Sequence, residues 1–149
     1  MEVNELRLGN LVMVDNPNYH SKLKNIVLEV TGISQILDRE NKPTHSISLC
    51  PINLKPNKYY ETYNQFIKFI EPIELTEEWL IKFGFEFKKT DHANSYKFDN
   101  FRFNFVFDGK LKGNVFLNFG NLSFKNYINS IPKLQNLYFA LTGEELTIK

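Results

Sequence analysis

The residues closest to a catalytic arrangement are two adjacent carboxylates, Glu77 and Glu78, beside Trp79, the one tryptophan of the chain. Paired carboxylates divide general acid and base work only when their surroundings separate their pKa values. Adjacent residues of a helix point about 100° apart, so these side chains would not converge on one reacting group. Acids instead suit the first turn of a helix, at the positive end of its dipole. We therefore predict a helix start here and no active site.

The other reactive side chains do not form a recognised catalytic or metal-binding pattern. His20, His45 and His92 are isolated, without an HExxH motif or a cysteine pair. Asp91 and His92 could form an oriented base, but they stand among turn-forming residues. The sequence also lacks a glycine-rich phosphate loop and a GxSxG motif. We predict no catalytic residue, no metal and no cofactor, and hence a protein that is not an enzyme.

Cysteine content and the first residues predict a soluble protein of the cytoplasm. The single cysteine, Cys50, cannot pair within the chain, which fits a reducing, intracellular compartment. The sequence starts without the basic and apolar regions of a signal peptide, and no apolar stretch approaches the length of a membrane span. We expect no membrane partner.

Charge is balanced, with 18 lysines and arginines against 17 acids and a net charge of +1. Affinity for nucleic acid comes largely from neutralised phosphates, so this chain would need a local basic patch to bind it. Solvated turns are the competing interpretation of the lysines in probable loops. These lysines are Lys22, Lys24, Lys55, Lys58, Lys110 and Lys112.

The distribution of phenylalanine divides the chain into two units. Ten of the 14 phenylalanines lie between Phe85 and Phe124, whereas Leu, Ile and Val dominate before residue 72. Pro72 cannot donate to a strand ladder and biases Glu71 toward an extended conformation. We predict a β-rich unit over residues 1–72 and an α+β unit over residues 73–149.

Alternating apolar residues predict several short strands in the first unit. Gly9 and Asn10 suit a turn or bulge, and Gly32 suggests a bend between two strands. We expect one further strand over residues 63–73. The opening stretch LRLGNLVMV resembles the first strand of SH3-like barrels, so we expect a small SH3-like β-barrel or a bent sheet. In that strand, one side should hold Leu8, Asn10, Val12 and Val14.

The second unit is predicted as a helix, an antiparallel β-meander and a helix. Thr76 and Gly84 should cap a helix over residues 76–83, and Pro132 and Gly143 should bracket a second over 132–142. Alternation predicts strands over about residues 85–119, with a hairpin turn at Asp108 and a phenylalanine face that the second helix covers. Residues 145–149 could add a short strand. The predicted inward residues of the helices are Trp79, Leu80, Ile81, Phe83, Leu134, Leu137, Tyr138 and Leu141.

Three segments carry a resemblance to a family. LRLGNLV at residues 6–12, LTEEWLIKFGF at 75–85 and LQNLYFALTGEELTIK at 134–149 resemble a family of small uncharacterised proteins from phages and mobile elements. These motifs consist of capping and core residues. The resemblance therefore implies a shared fold and a phage or mobile-element context, without an activity.

The candidate binding residues are Lys58, Tyr59, Tyr60 and Tyr63, in an otherwise polar loop. Tyrosine loses little side-chain entropy when an interface orders it, so we predict a protein-interaction or assembly module whose partner is another protein or a second copy. The tyrosines could equally pack over the mouth of a barrel. A single-stranded nucleic-acid-binding protein, using loop lysines and aromatic rings, is the alternative.

Overall fold

A computed structural model describes residues 1–17, 25–52, 62–89, 94–97, 103–107, 115–119 and 122–149, and between 87 and 127 it describes the backbone alone. The chain divides into unit 1, Met1–Ile73, and unit 2, Glu74–Lys149. The predicted boundary followed Pro72. Antiparallel sheets and two α-helices make this an α+β protein, as the sequence predicts.

Unit 1 is an antiparallel five-stranded sheet with the strand order β4-β3-β2-β1-β5. Two short 3₁₀ turns accompany it, at Val3–Glu5 and Ile67–Phe69. Among the described residues β4 and β5 do not pair, so the sheet is open there. The strands are β1 (Leu11–Val14), β2 (Leu28–Leu37), β3 (Pro43–Pro51), β4 (Tyr63–Phe66) and β5 (Ile70–Pro72).

The first strand begins later than its apolar pattern indicates. Gly9 has a φ of +85°, and the chain turns there before β1 starts at Leu11. Val12 and Val14 are buried, but Leu8, which the pattern places on the same side of the strand, is 57 % exposed. The prediction was wrong for Leu8 because the turn at Gly9 ends the strand alternation.

Two other predictions for unit 1 need correction. The segment around Gly32 is one strand, β2, whose register shifts between Val30 and Gly32, so the bend is a bulge within a strand. A Cβ atom on Gly32 would lie 3.1 Å from Ser48 Oγ, which favours glycine at this bulge. The segment predicted as one strand over 63–73 is two strands separated by the 3₁₀ turn.

The core of unit 1 comes from alternate residues of its inner strands. Register places Val30, Leu49 and Tyr63 in one row across β2, β3 and β4. Since strand side chains alternate between faces, each strand contributes one residue in two to this core. The buried cluster contains Leu6, Val12, Val14, Leu28, Val30, Ile47, Leu49 and Ile70.

Unit 2 contains a meander with the strand order β10-β9-β8-β7-β6 between two helices. The sequence predicts strands only to about residue 119, and it missed β10. Leu122 and Phe124 alternate as a strand should, but a register shift between Phe124 and Ile128 breaks the pattern. The elements are α1 (Glu77–Lys82), β6 (Glu86–Lys89), β7 (Asn94–Lys97), β8 (Phe103–Phe107), β9 (Val115–Phe119), β10 (Leu122–Ile128) and α2 (Ile131–Thr142).

The start and end of α1 follow local signals. The Thr76 hydroxyl accepts a hydrogen bond from the backbone N–H of Trp79 at 3.4 Å, and Gly84 leaves the helix with a φ of +86°. Both caps are confirmed. Leu80 and Phe83 are fully buried, but Ile81 is 58 % exposed, so its predicted inward position was wrong. Ile81 lies about 100° around the helix from Leu80, beyond the buried side.

The second helix is also capped as predicted, with Pro132 in its first turn and Gly143 at its end with a φ of +75°. Its buried face differs from the prediction. Leu134 and Tyr138 are buried, but Leu141 is 41 % exposed. Buried Gln135 lies in the inward row instead, and its Nε2 donates to the carbonyl oxygen of Leu146 at 3.2 Å.

The last residues do not form the predicted strand. Leu146 is buried, and the backbone N–H of Lys149 donates to the carbonyl oxygen of Lys82 at 3.0 Å. The tail is therefore an irregular segment held against both helices of unit 2. The predicted cover over the phenylalanine face rests on side chains outside the description, and Asp108 with its turn also lies outside the described residues.

Candidate interaction surface

Lys58, Tyr59 and Tyr60 of the predicted binding loop lie outside the described residues. Tyr63 is described. It is the first residue of β4, and its half-buried side chain packs against the core of unit 1. Of the four predicted residues, the structure therefore places one, at the rim of a core rather than fully on a surface.

A neighbouring group of side chains is more exposed. Phe66 ends β4 and is 37 % exposed, and Phe69, which directly follows the exposed Lys68, is half-buried. The Lys68 Nζ lies 5.8 Å from the ring centroid of Phe66 and 5.0 Å from that of Phe69. Both distances are within the range of cation–π attraction. We call Phe66, Lys68 and Phe69 the β4 cluster.

Local backbone geometry brings the two rings together. Buried Gln65 faces the core, so strand alternation turns Phe66 to the opposite face. Phe66 then caps the 3₁₀ turn Ile67–Phe69. Phe69, the last residue of that turn, also packs against the core of unit 1, and the Lys68 ammonium group lies near both rings.

The ammonium group of Lys68 gives the β4 cluster a positive charge. Across the described part of the chain, Lys68 forms no ion pair with a carboxylate, and its only aromatic contacts are the two rings. The cluster lies beside an edge, since β4 pairs with β3 alone among the described strands. An aromatic surface, an unneutralised ammonium group and a strand edge therefore adjoin one another.

A single strand over residues 63–73, as the sequence predicts, would not form this cluster. In a strand, Phe66 and Phe69 would face opposite sides and Lys68 would share a side with Phe66. A usable signal was present in the stretch QFIKF, which places two aromatic residues three apart around a lysine. That spacing suits a helical turn and does not suit a strand.

The residues considered for catalysis do not converge where the structure describes them. His45 is half-buried in β3, whereas His20, Asp91 and His92 lie outside the described residues. Cys50 is half-buried, with its Sγ 3.8 Å from the carbonyl oxygen of Pro51. In the described ranges, no three side chains of His, Cys, Asp or Glu lie close enough to hold a metal ion.

Two further observations bear on partners. Within the described residues, no helix combines the length and the apolar character that crossing a membrane requires. Nucleic-acid binding would be favoured if the lysines of the predicted loops lay together on one surface. These lysines lie outside the described residues, so the structure does not test whether they form a basic patch. The lysines concerned are Lys22, Lys24, Lys55, Lys58, Lys110 and Lys112.

Comparison with known proteins adds no relationship to these observations. No protein-family model matches the chain, and neither a curated protein nor a solved structure matches it.

Proposed function

We propose that this protein is a non-enzymatic protein-interaction or assembly module, and that the β4 cluster is its binding surface. The carrying observation is the position of Lys68 over two partly exposed rings beside an edge strand. Aromatic residues are enriched at the centres of protein interfaces, where they bury much area at little entropic cost. An exposed strand edge also accepts an extended segment of a partner through main-chain hydrogen bonds.

The context of this module is part of the same proposal. The three segments that resemble phage and mobile-element proteins support a role in such an element, either in assembly with other copies or in binding another protein. Lys58, Tyr59 and Tyr60 precede β4 in sequence and lie outside the described residues, so their part in binding stays a prediction.

The experiment is selection of peptides from a random display library against the full chain, followed by affinity measurement on variants. Phe66→Ala should weaken binding of the selected peptides about tenfold or more, as truncation of an interface anchor does. Leu8→Ala is the matched control, since Leu8 is a comparably exposed apolar side chain of unit 1 outside the cluster. Equal loss in both variants, or no loss in either, would remove the cluster from the proposal.

Single-stranded nucleic acid is the second candidate, and one observation favours it. Bases stack on aromatic rings beside cations, and the β4 cluster contains both components. The net charge of +1 argues against it, because binding would lack a general electrostatic contribution. A mixed-sequence oligonucleotide titrated at two salt concentrations separates the candidates. Salt-sensitive binding that Lys68→Ala abolishes would favour nucleic acid over protein.

Unit 1 is further proposed to close as a small SH3-like barrel through the 3₁₀ turn and one side-chain bond, without main-chain pairing at the outer edge of β4 among the described strands. Two bonds support closure: the backbone N–H of Asp15 donates to the carbonyl oxygen of Phe69 at 3.0 Å, and Asn16 Nδ2 donates to Gln65 Oε1 at 2.9 Å. They connect the end of β1 to β4 and the 3₁₀ turn. Asn16→Leu should cost about 1–3 kcal/mol, because it leaves the buried Gln65 amide without this partner. Asn16→Leu combined with Gln65→Leu should recover most of that loss, and equal losses in the two proteins would argue against closure.

A further inference from the structure

The β2–β3 hairpin extends beyond the strands that flank it. β1 pairs with β2 at Leu28 and Glu29, and two further backbone bonds reach Val30. On the other side, β4 follows β3 only as far as Ser46. Among the described strands, residues 35–37 and 43–45 therefore pair only with each other. We call residues 33–45 the arm.

Hydrogen bonds within the turn fix the conformation at the tip of the arm. Asp38 Oδ1 accepts hydrogen bonds from the backbone N–H groups of Glu40 at 2.8 Å and Lys42 at 2.9 Å. Asn41 adopts a φ of +58°, which asparagine tolerates better than most residues. A turn held by its own side chain fixes the arm in one geometry, which lowers the entropic cost of any pairing it makes.

The turn also determines which backbone groups face outward. The backbone N–H of Asp38 donates to the carbonyl oxygen of Lys42 at 2.9 Å. Residues of an antiparallel pair alternate between bonding the partner strand and facing away from it. Counting back from Asp38, the N–H and C=O groups of Leu37, Gln35 and Ile33 face away from β3.

The two edges of the arm differ in whether their residues prevent pairing with a strand of another chain. On β3 the outward position opposite Leu37 is Pro43, which has no N–H to offer. On β2 the stretch TGISQIL, residues 31–37, contains neither a charge nor a proline. Natural sheet edges usually carry such residues because they prevent pairing with other chains. The β2 edge is therefore the one suited to accept a strand.

We propose that a second copy of this chain pairs with that edge, antiparallel and across a twofold axis at Gln35. The sequence is self-complementary about this residue, since Gln35 would oppose Gln35 of the second copy and Ile33 would oppose Leu37 of the second copy. Leu37 is 63 % exposed in the single chain. In such a dimer, Leu37 of each copy would lie opposite Ile33 of the other copy, so the twofold axis creates this apolar contact twice. A net charge of +1 gives little long-range repulsion between copies. This contact uses a different surface from the β4 cluster and goes beyond the proposed function.

The test is light scattering of the full chain over a range of concentrations, with two edge variants. Gln35→Pro removes the outward N–H at the twofold axis without removing a bond to β3, and Leu37→Lys places a charge opposite Ile33. Each should weaken dimerisation about tenfold or more, because symmetry counts every lost contact twice. Gln35→Thr and Leu8→Lys are the matched controls and should leave the dimer intact. Circular dichroism tests whether each variant is folded. If Gln35→Pro does not fold, Leu37→Lys alone tests the dimer.

Hydrogen exchange supplies a readout that depends on position. In the dimer, the amide of Gln35 should exchange more slowly than in a dilute monomer. A monomer at every concentration, or a multimer that Leu37→Lys leaves unchanged, would overturn the inference. Loss of the multimer in Phe66→Ala but not in Leu37→Lys would also overturn it, while leaving the β4 cluster as a binding surface.

Discussion

Two clusters of similar composition, one in each unit, differ in whether their groups are already satisfied. In unit 2, Lys82 Nζ lies 4.8 Å from the ring centroid of Trp79 and 2.7 Å from Glu78 Oε1, and Phe83 beneath is fully buried. In unit 1, Lys68 lies over Phe66 and Phe69 without a carboxylate among the described residues. An aromatic ring and a lysine do not by themselves indicate a binding site. In the α1 cluster (Glu78, Trp79, Lys82 and Phe83), one ring is fully buried and the lysine has a carboxylate partner, so we expect a structural role for it.

The largest difference should appear when one ring is removed from each cluster. Phe83→Ala should lower the free energy of unfolding of unit 2 by about 3–5 kcal/mol, because it leaves a cavity in a packed core. Phe66→Ala should change stability by no more than about 0.5 kcal/mol, as for most surface positions. Urea denaturation followed by Trp79 fluorescence reports unit 2, and circular dichroism follows the Phe66 variant. Similar costs for the two substitutions would remove the contrast between the clusters.

The cap that positions the α1 cluster should have the next largest effect. Thr76→Ala removes the hydroxyl that accepts from the Trp79 N–H and should cost about 1 kcal/mol. Thr76→Ser keeps the hydroxyl and should retain most of that stability, as measured by the same denaturation. A Ser variant as unstable as the Ala variant would show that the methyl group of Thr76, and not the cap, is responsible.

Exchanging each lysine for methionine compares the two cations directly. Lys82→Met should destabilise unit 2 by about 0.5–1 kcal/mol through the lost contact with Trp79. Lys68→Met should leave stability nearly unchanged and weaken binding of selected peptides. Thermal denaturation and peptide titration of both variants give the comparison. A stability loss at Lys68 as large as that at Lys82 would assign the β4 cluster a structural role.

The smallest expected effect concerns the pH dependence of the α1 cluster. A hydrogen bond from Lys82, with its positive charge, lowers the pKa of Glu78 below the ordinary value of 4.5. A carboxyl with a lowered folded-state pKa stabilises the fold above its unfolded pKa, and this contribution disappears as pH falls through the folded pKa. Glu78→Gln should therefore be slightly less stable than the unmodified chain at neutral pH, and the difference should vanish in acid. A constant difference in melting temperature across that range would contradict the assignment.

The sequence predicted those features that depend on neighbouring residues. Thr76, Gly84 and Gly143 mark helix ends through bonds and φ angles within a few residues, and each is found where it was expected. The hairpin before β3 likewise follows from turn-forming residues. Such local signals were sufficient to predict the α+β class.

Features that depend on distant residues were not predictable in this way. Ile81 and Leu141 have the correct spacing for a buried face, but exposure depends on what packs opposite them. The β4 cluster does not follow from the sequence pattern, because helical and strand periods compete over the short stretch from Tyr63 to Pro72. Long-range pairing decides such cases, and a single sequence does not contain it explicitly.

The most direct test of the central claim is the affinity of library-selected peptides for the unmodified chain, Phe66→Ala and Leu8→Ala. We expect peptides that bind the unmodified chain and Leu8→Ala equally and Phe66→Ala about tenfold or more weakly. Selection that yields no peptide sensitive to Phe66, together with salt-dependent binding of an oligonucleotide that Lys68→Ala abolishes, would contradict the claim. The β4 cluster would then be a nucleic-acid-binding surface.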